Sequence, residues 1–108
     1  MKKLLAIFLL MSVAVSAVEI FDEFYVMEKT ISTIEKGEVY SINGEKFKVT
    51  KVDNKILKSL STTDNPFYFY NSNNEKTMAR IGDYLVSPLT LSEIYSVDKN
   101  EFKNYIKE

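Results

Sequence analysis

The chain has 108 residues, 45% of them hydrophobic and 27% charged, and its 14 basic against 15 acidic side chains leave a net charge of −1. Cysteine, histidine and tryptophan are absent, which excludes disulfides, thiol catalysis, thioether-linked haem, Cys- or His-ligated zinc and a Ser-His-Asp triad. No side chain titrates near neutrality without perturbation, and the mild acidity argues against a nucleic-acid surface or a polybasic lipid-binding stripe.

Residues 1–17 have the three-part layout of a secretory signal peptide: the basic start Met1-Lys2-Lys3, the apolar run Leu4 to Met11, and small residues in Val15-Ser16-Ala17. Cleavage is expected after Ala17. The rival reading is a retained anchor, but the uncharged run Leu4 to Val18 is shorter than the roughly 20 apolar residues of a spanning helix. It is followed by acidic Glu19, Asp22 and Glu23 rather than a cationic cluster. With no cysteine to acylate, a lipid-anchored form is disfavoured. Residues 18–108 then form one small domain. Loss of Lys2 and Lys3 leaves 12 basic and 15 acidic residues, a net charge of −3.

Phe24 to Thr30 reads as a first strand or the opening of a helix, and Glu35-Lys36-Gly37 as a break. The clearest local signal is Asn43-Gly44 between the extended segments Val39 to Ile42 and Glu45 to Val52, a two-residue β-hairpin. Phe47 and Val49 share one face, and Lys46, Lys48 and Thr50 the other, solvated one. Asp53-Asn54-Lys55 reads as a turn before a strand Ile56 to Leu60, and Ser61 to Pro66 as loop. Phe67 to Tyr70 forms a short strand, a polar loop Asn71 to Asn74 follows, and Lys76 to Arg80 extends again. Gly82-Asp83 turns the chain into strand Tyr84 to Val86, which Pro88 ends, and Glu93 to Val97 is the last strand. Asp98 with Glu101 has capping-box spacing, and Val97 with Phe102 that of a hydrophobic staple. Phe102, Tyr105 and Ile106 then mark one face of a C-terminal helix near residues 99–107.

From Glu75 onward the chain resembles small uncharacterised bacterial and phage-encoded proteins with a C-terminal (Pro)-Gly-Asp-Tyr/Trp, Glu-x-Tyr, Phe and Tyr pattern. The matching residues are Glu75, Ala79, Gly82-Asp83-Tyr84-Leu85-Val86, Glu93-Ile94-Tyr95-Ser96-Val97, Phe102 and Tyr105, with Ile81 where proline is usual and a longer linker from Ser87 to Ser92. The resemblance implies a β-rich module ending in a helix, and nothing catalytic.

Two constellations hold candidate functional residues. In the motif, Gly82 suits a tight turn, Asp83 holds it by accepting backbone N–H groups, and Tyr84, Val86 and Tyr95 make cross-strand contacts. The sharper alternative pairs Asp83 with Glu93 across two strands as a cation-binding or acid–base pair. In Phe67 to Tyr70, the phenylalanines face a core. Tyr68 and Tyr70, with Tyr40, are then either a partly covered outer face or an exposed aromatic platform for a glycan, peptide or protein. No metal site or cofactor is expected, since Asp64-Asn65 and Asn71 to Glu75 lack the spacing and central glycine of an EF-hand loop.

The whole reads as a mainly β (α+β) domain of five to seven short antiparallel strands, in a small barrel or strongly bent sheet closed by a C-terminal helix. Its expected role is an exported, periplasmic or secreted, non-catalytic binding or inhibitory module acting on an envelope protein or glycan, without nucleic acid and without membrane insertion after cleavage. A carboxylate hydrolase using Asp83 and Glu93, and an assembly protein pairing through an edge strand, are the alternatives.

Overall fold

The computed structural model describes residues 19–108, so the expected signal peptide and its cleavage site lie outside the described residues. After a two-residue strand β1 (Ile20–Phe21), the ambiguous segment folds as helix α1 (Glu23–Glu35). Asp22 caps it by accepting the N–H of Phe24 at 3.1 Å. The burial of Val26, Thr30 and Ile34 at i, i+4 and i+8 shows which period won. Thr30 is fully buried and bonds its hydroxyl back to the carbonyl of Val26 at 2.7 Å.

Gly37 carries the chain from α1 into the hairpin. A Cβ there would stand 2.0 Å from the carbonyl oxygen of Val49, so only glycine allows the helix end to meet the sheet. Strands β2 (Glu38–Ile42) and β3 (Glu45–Lys51) pair antiparallel, with Ile42 opposite Glu45. The turn between them has φ of 52° at Asn43 and 82° at Gly44, the two positive values of a type I′ turn.

Residues Ile56 to Leu60 do not form the expected strand. They belong to helix α2 (Asn54–Ser59) and its C-cap, because Asp53 caps the N–H of Ile56 at 3.1 Å. Buried Ile56, Leu57 and Leu60 fall at i, i+1 and i+4, whereas a strand would have turned Lys58 inward with Ile56 and Leu60.

Strands β4 (Phe67–Tyr70), β5 (Lys76–Ala79), β6 (Tyr84–Pro88) and β7 (Tyr95–Val97) follow. Pro88 does not break β6. It is the last residue of that strand and still pairs with Phe47. The expected C-terminal helix is one 3-10 turn (Glu101–Asn104) followed by a short strand β8 (Ile106–Lys107) that pairs with β2. In a 3-10 turn residues i and i+3 eclipse, and Phe102 stacks on Tyr105 with centroids 5.1 Å apart. The alternative α-helix would bury Ile106 beside them. Here Ile106 is 67% exposed, and Glu108 returns its N–H to the carbonyl of Val39 at 2.9 Å.

Among the described residues eight strands build two sheets, in the orders β1-β4-β5 and β7-β6-β3-β2-β8. The fold is mainly β and bent, not a closed barrel, and β1 pairs with β4 in parallel where an all-antiparallel sheet was expected. The sheets meet edge to edge, where the Ser96 hydroxyl on β7 donates to the carbonyl of Met78 on β5 at 2.7 Å. Ser72 ties the same junction, donating its N–H to the carbonyl of Ile94 and accepting the N–H of Ile94 on its hydroxyl.

The five-stranded sheet is covered on both faces. Leu85 faces a main core with Val26, Ile34, Ile56, Leu60, Phe67 and Phe69, while Val49, Val86 and Val97 face a second, smaller core roofed by the C-terminal segment. The alternation in β3 is as read, Phe47 and Val49 sharing one face. The opposite face is not simply wet, however, for Lys48 and Thr50 are half-buried and Lys48 reaches the carbonyl of Gly37 at 3.4 Å.

Candidate functional site: an acidic, aromatic cleft on the second core

The second core is built from rings. Phe102 stacks on Tyr84 at 3.7 Å between centroids and lies 4.7 Å from Tyr40, and Phe47 meets Tyr105 edge-on at 6.2 Å. Beside this stack the sheet opens into a cavity of about 350 Å³. Phe47, Val86 and Val97 provide its apolar floor, Pro88, Tyr95 and Tyr105 its walls, and Glu45 and Glu93 its acidic groups. The register explains the assembly: Val86 pairs with Tyr95 and with Val49, and Phe47 with Pro88, which places alternate residues of β3, β6 and β7 on one face.

Among the described residues no basic side chain lines the cavity, and neither Glu45 nor Glu93 is in an ion pair. The Tyr95 hydroxyl donates to Glu93. That bond, then burial, then the negative charges of Glu93 and Glu23 push the Tyr95 phenol up to about 12. Burial, followed by the charges of Glu101 and Glu45, raises Tyr105 as well. The Glu93 bond dominates at Tyr95 and burial at Tyr105, with nearby carboxylates adding to both.

Asp83 and Glu93 are not brought together. Asp83 precedes the Tyr84–Val97 pair, and Glu93 lies two residues before Tyr95, so they occupy opposite ends of the β6–β7 ladder. At about 3.3 Å per residue the separation is roughly 16 Å, against about 5–9.5 Å for the paired carboxyls of glycosidases. Asp83 is buried and occupied: its carboxylate accepts the N–H of Arg80 at 2.9 Å and of Lys99 at 3.2 Å, with the Arg80 guanidinium 3.6 Å away. Asp83 thus accepts backbone N–H groups as expected, one from the residue three back and one from the loop after β7. Gly82 has φ 102°, as the turn requires.

The three tyrosines of the expected platform are divided. Tyr68 and Tyr70 lie on the outer face of the three-stranded sheet, with Phe67 and Phe69 buried beneath. Tyr70 and Met78 are each 39% exposed, and the Lys76 ammonium sits 5.7 Å above the Tyr68 ring. Tyr40 is on the other sheet, packed under Phe102. Of the motif residues, Val86, Glu93, Tyr95, Val97 and Tyr105 line the cleft while Tyr84 and Phe102 form the stack behind it. Phe47 and Glu45 were missing from the candidate residues, and Tyr105 entered only through the C-terminal pattern, with no role in a site. The hairpin register placed Phe47 on the right face, but nothing local shows that the C-terminal segment folds back over that face.

Searches against protein-family models, curated proteins and solved structures find no match to this chain.

Proposed function

We propose that this chain is an exported, non-catalytic binding module for an envelope protein or glycan, with its ligand site in the cleft between Glu45, Glu93, Tyr95 and Tyr105 rather than on Tyr68 and Tyr70. The observation that carries this reading is the cleft itself: an apolar floor, two phenol walls and two carboxylates that are in no ion pair among the described residues converge on one cavity, the composition of a small binding site. The wide separation of Asp83 from Glu93 and the engagement of Asp83 by two backbone donors speak against a carboxylate hydrolase. Export rests on the layout of residues 1–17. Among the described residues no helix is long and apolar enough to cross a membrane.

Two measurements test the proposal. Intact mass of protein recovered from the cell envelope is expected to correspond to an amino terminus at Val18, and a mass that includes Met1 refutes cleavage. A nuclear magnetic resonance screen of short peptides and oligosaccharides is expected to shift the amides of Phe47, Val86 and Tyr95. If no compound of either class shifts them, the cleft is not a binding site.

A further inference from the structure

We infer that the cleft takes a cationic side chain, lysine or arginine, presented by a protein partner. This rests on the reading of the cleft as a binding site and adds the chemistry of its occupant. A cavity of about 350 Å³ is at the small end of ligand sites and fits one long side chain better than a run of sugar rings. Its two kinds of surface are arranged as such a side chain requires. Phe47, Val86 and Val97 offer apolar area to a methylene stem, and Glu45 and Glu93 offer negative charge to the head. Tyr95 and Tyr105 line the same cavity, and tyrosine rings attract cations.

Charge complementarity selects the sign. Among the described residues no lysine or arginine lines the cavity, and the Glu93 oxygen that does not hold Tyr95 has no hydrogen-bond partner. The basic residues nearest in sequence, Lys46 and Lys48, alternate onto the opposite face of β3 from Phe47 and Val49. An anionic ligand would meet the like charges of Glu45 and Glu93, and a neutral one would offer them no counter-charge.

The test uses isotopically labelled protein titrated with three probes: the blocked tripeptide acetyl-Gly-Arg-Gly-amide, the same peptide with neutral citrulline in place of arginine, and the neutral tetrasaccharide chitotetraose. The arginine peptide is expected to shift Phe47, Val86 and Tyr95 amides saturably and to bind about tenfold more tightly than the citrulline peptide. Glu45→Gln, at an exposed position, is expected to reduce that preference severalfold with the melting temperature unchanged, and Glu93→Gln, which keeps a weaker acceptor for Tyr95, to reduce it severalfold with a small fall in melting temperature. Equal binding of the arginine and citrulline peptides overturns the cation inference while the binding module stands. So does binding of chitotetraose in the cleft with no arginine preference. If no probe shifts the cleft amides, this inference and the binding site fall together. If the arginine peptide binds but the glutamate variants leave its preference intact, the assigned charges are wrong and the inference fails.

Discussion

Replacing Asp83 with alanine removes the acceptor that joins two separate loops. The carboxylate is 3% exposed and receives the N–H of Arg80, in the turn between β5 and β6, and the N–H of Lys99, beyond β7. Hydrogen bonds to a charged group contribute about 1.5–3 kcal/mol each, and a donor left without a partner costs about 1–3 kcal/mol when buried. Both donors are only part-buried, and the Arg80 side chain is half-exposed, so water recovers some of the loss. The expected destabilisation is about 2–4 kcal/mol, which for a domain of this size lowers the melting temperature by roughly 10–25 °C. Asp83→Asn keeps one acceptor oxygen but turns an amide N–H toward a backbone donor, and is expected to lose about half as much. Thermal and urea unfolding of both variants, followed by circular dichroism, measure this. Peptide binding in the cleft at a temperature where the variants are folded is expected to be unchanged, because Asp83 lies at the far end of the β6–β7 ladder. If Asp83→Ala keeps the wild-type melting temperature but abolishes binding, the structural role assigned to this carboxylate is refuted.

Three further outcomes are expected. Gly37→Ala places a Cβ 2.0 Å from the Val49 carbonyl oxygen and forces the end of α1 away from β3, costing more than the roughly 1–3 kcal/mol of ordinary overpacking. Gly44→Ala meets no atom within 4 Å and suffers only its positive φ of 82°, about 1–2 kcal/mol, so urea denaturation should rank Gly37→Ala as clearly the worse. Phe102→Ala removes the ring between Tyr84 and Tyr40 and is expected to cost about 2–3 kcal/mol for a half-buried aromatic, read as a lower midpoint in urea. Finally, ultraviolet difference titration of the seven tyrosines should contain one phenol near 12 that disappears in Tyr95→Phe and moves down in Glu93→Gln. Because the folded value lies above the ordinary 10, this phenol's contribution to stability is complete below pH 10 and is lost as pH rises toward 12.

The hairpin was legible because its information is local: Asn43 and Gly44 supply the two positive φ angles, and alternation fixes the faces. Phe67 to Tyr70 was legible for the same reason. The helix α2 was legible in principle, since Asp53 and the i, i+1, i+4 spacing of Ile56, Leu57 and Leu60 are helical signals, but a run of five residues also suits a strand. The C-terminal turn was not legible. Capping by Asp98 is present, its carboxylate receiving the N–H groups of Asn100 and Glu101 at 2.8 Å each and being held below its ordinary pKa first by the Glu101 bond. What ends the helix after one turn is pairing of Ile106 and Lys107 with β2, aided by the Lys107–Glu38 ion pair at 2.7 Å. Those partners lie more than sixty residues upstream, where no local pattern points to them. The doubled core was hidden likewise: β6 is buried on both faces, and a strand covered on both sides has no alternation to read.

The same C-terminal segment gives the cleft its wall and the second core its roof, and this couples binding to stability. Tyr105 lines the cavity and touches both Phe47, in the floor, and Phe102, in the stack. Val49, Val86 and Val97 are packed under Tyr40, Phe47, Tyr84, Tyr95, Phe102 and Tyr105, so the C-terminal segment supplies two of the rings that cover them. A ligand seated against Tyr105 therefore binds the closed arrangement and not one in which residues 101–108 have lifted, so it must stabilise the closed arrangement by linkage. Glu45 lies outside that argument. It is exposed, it contributes charge to the cleft, and it is in no ion pair among the described residues. Loss of binding in Glu45→Gln thus reports the electrostatics of the site, whereas loss of binding in Phe102→Ala reports whether the wall is in place. Only the first separates recognition from folding in this protein.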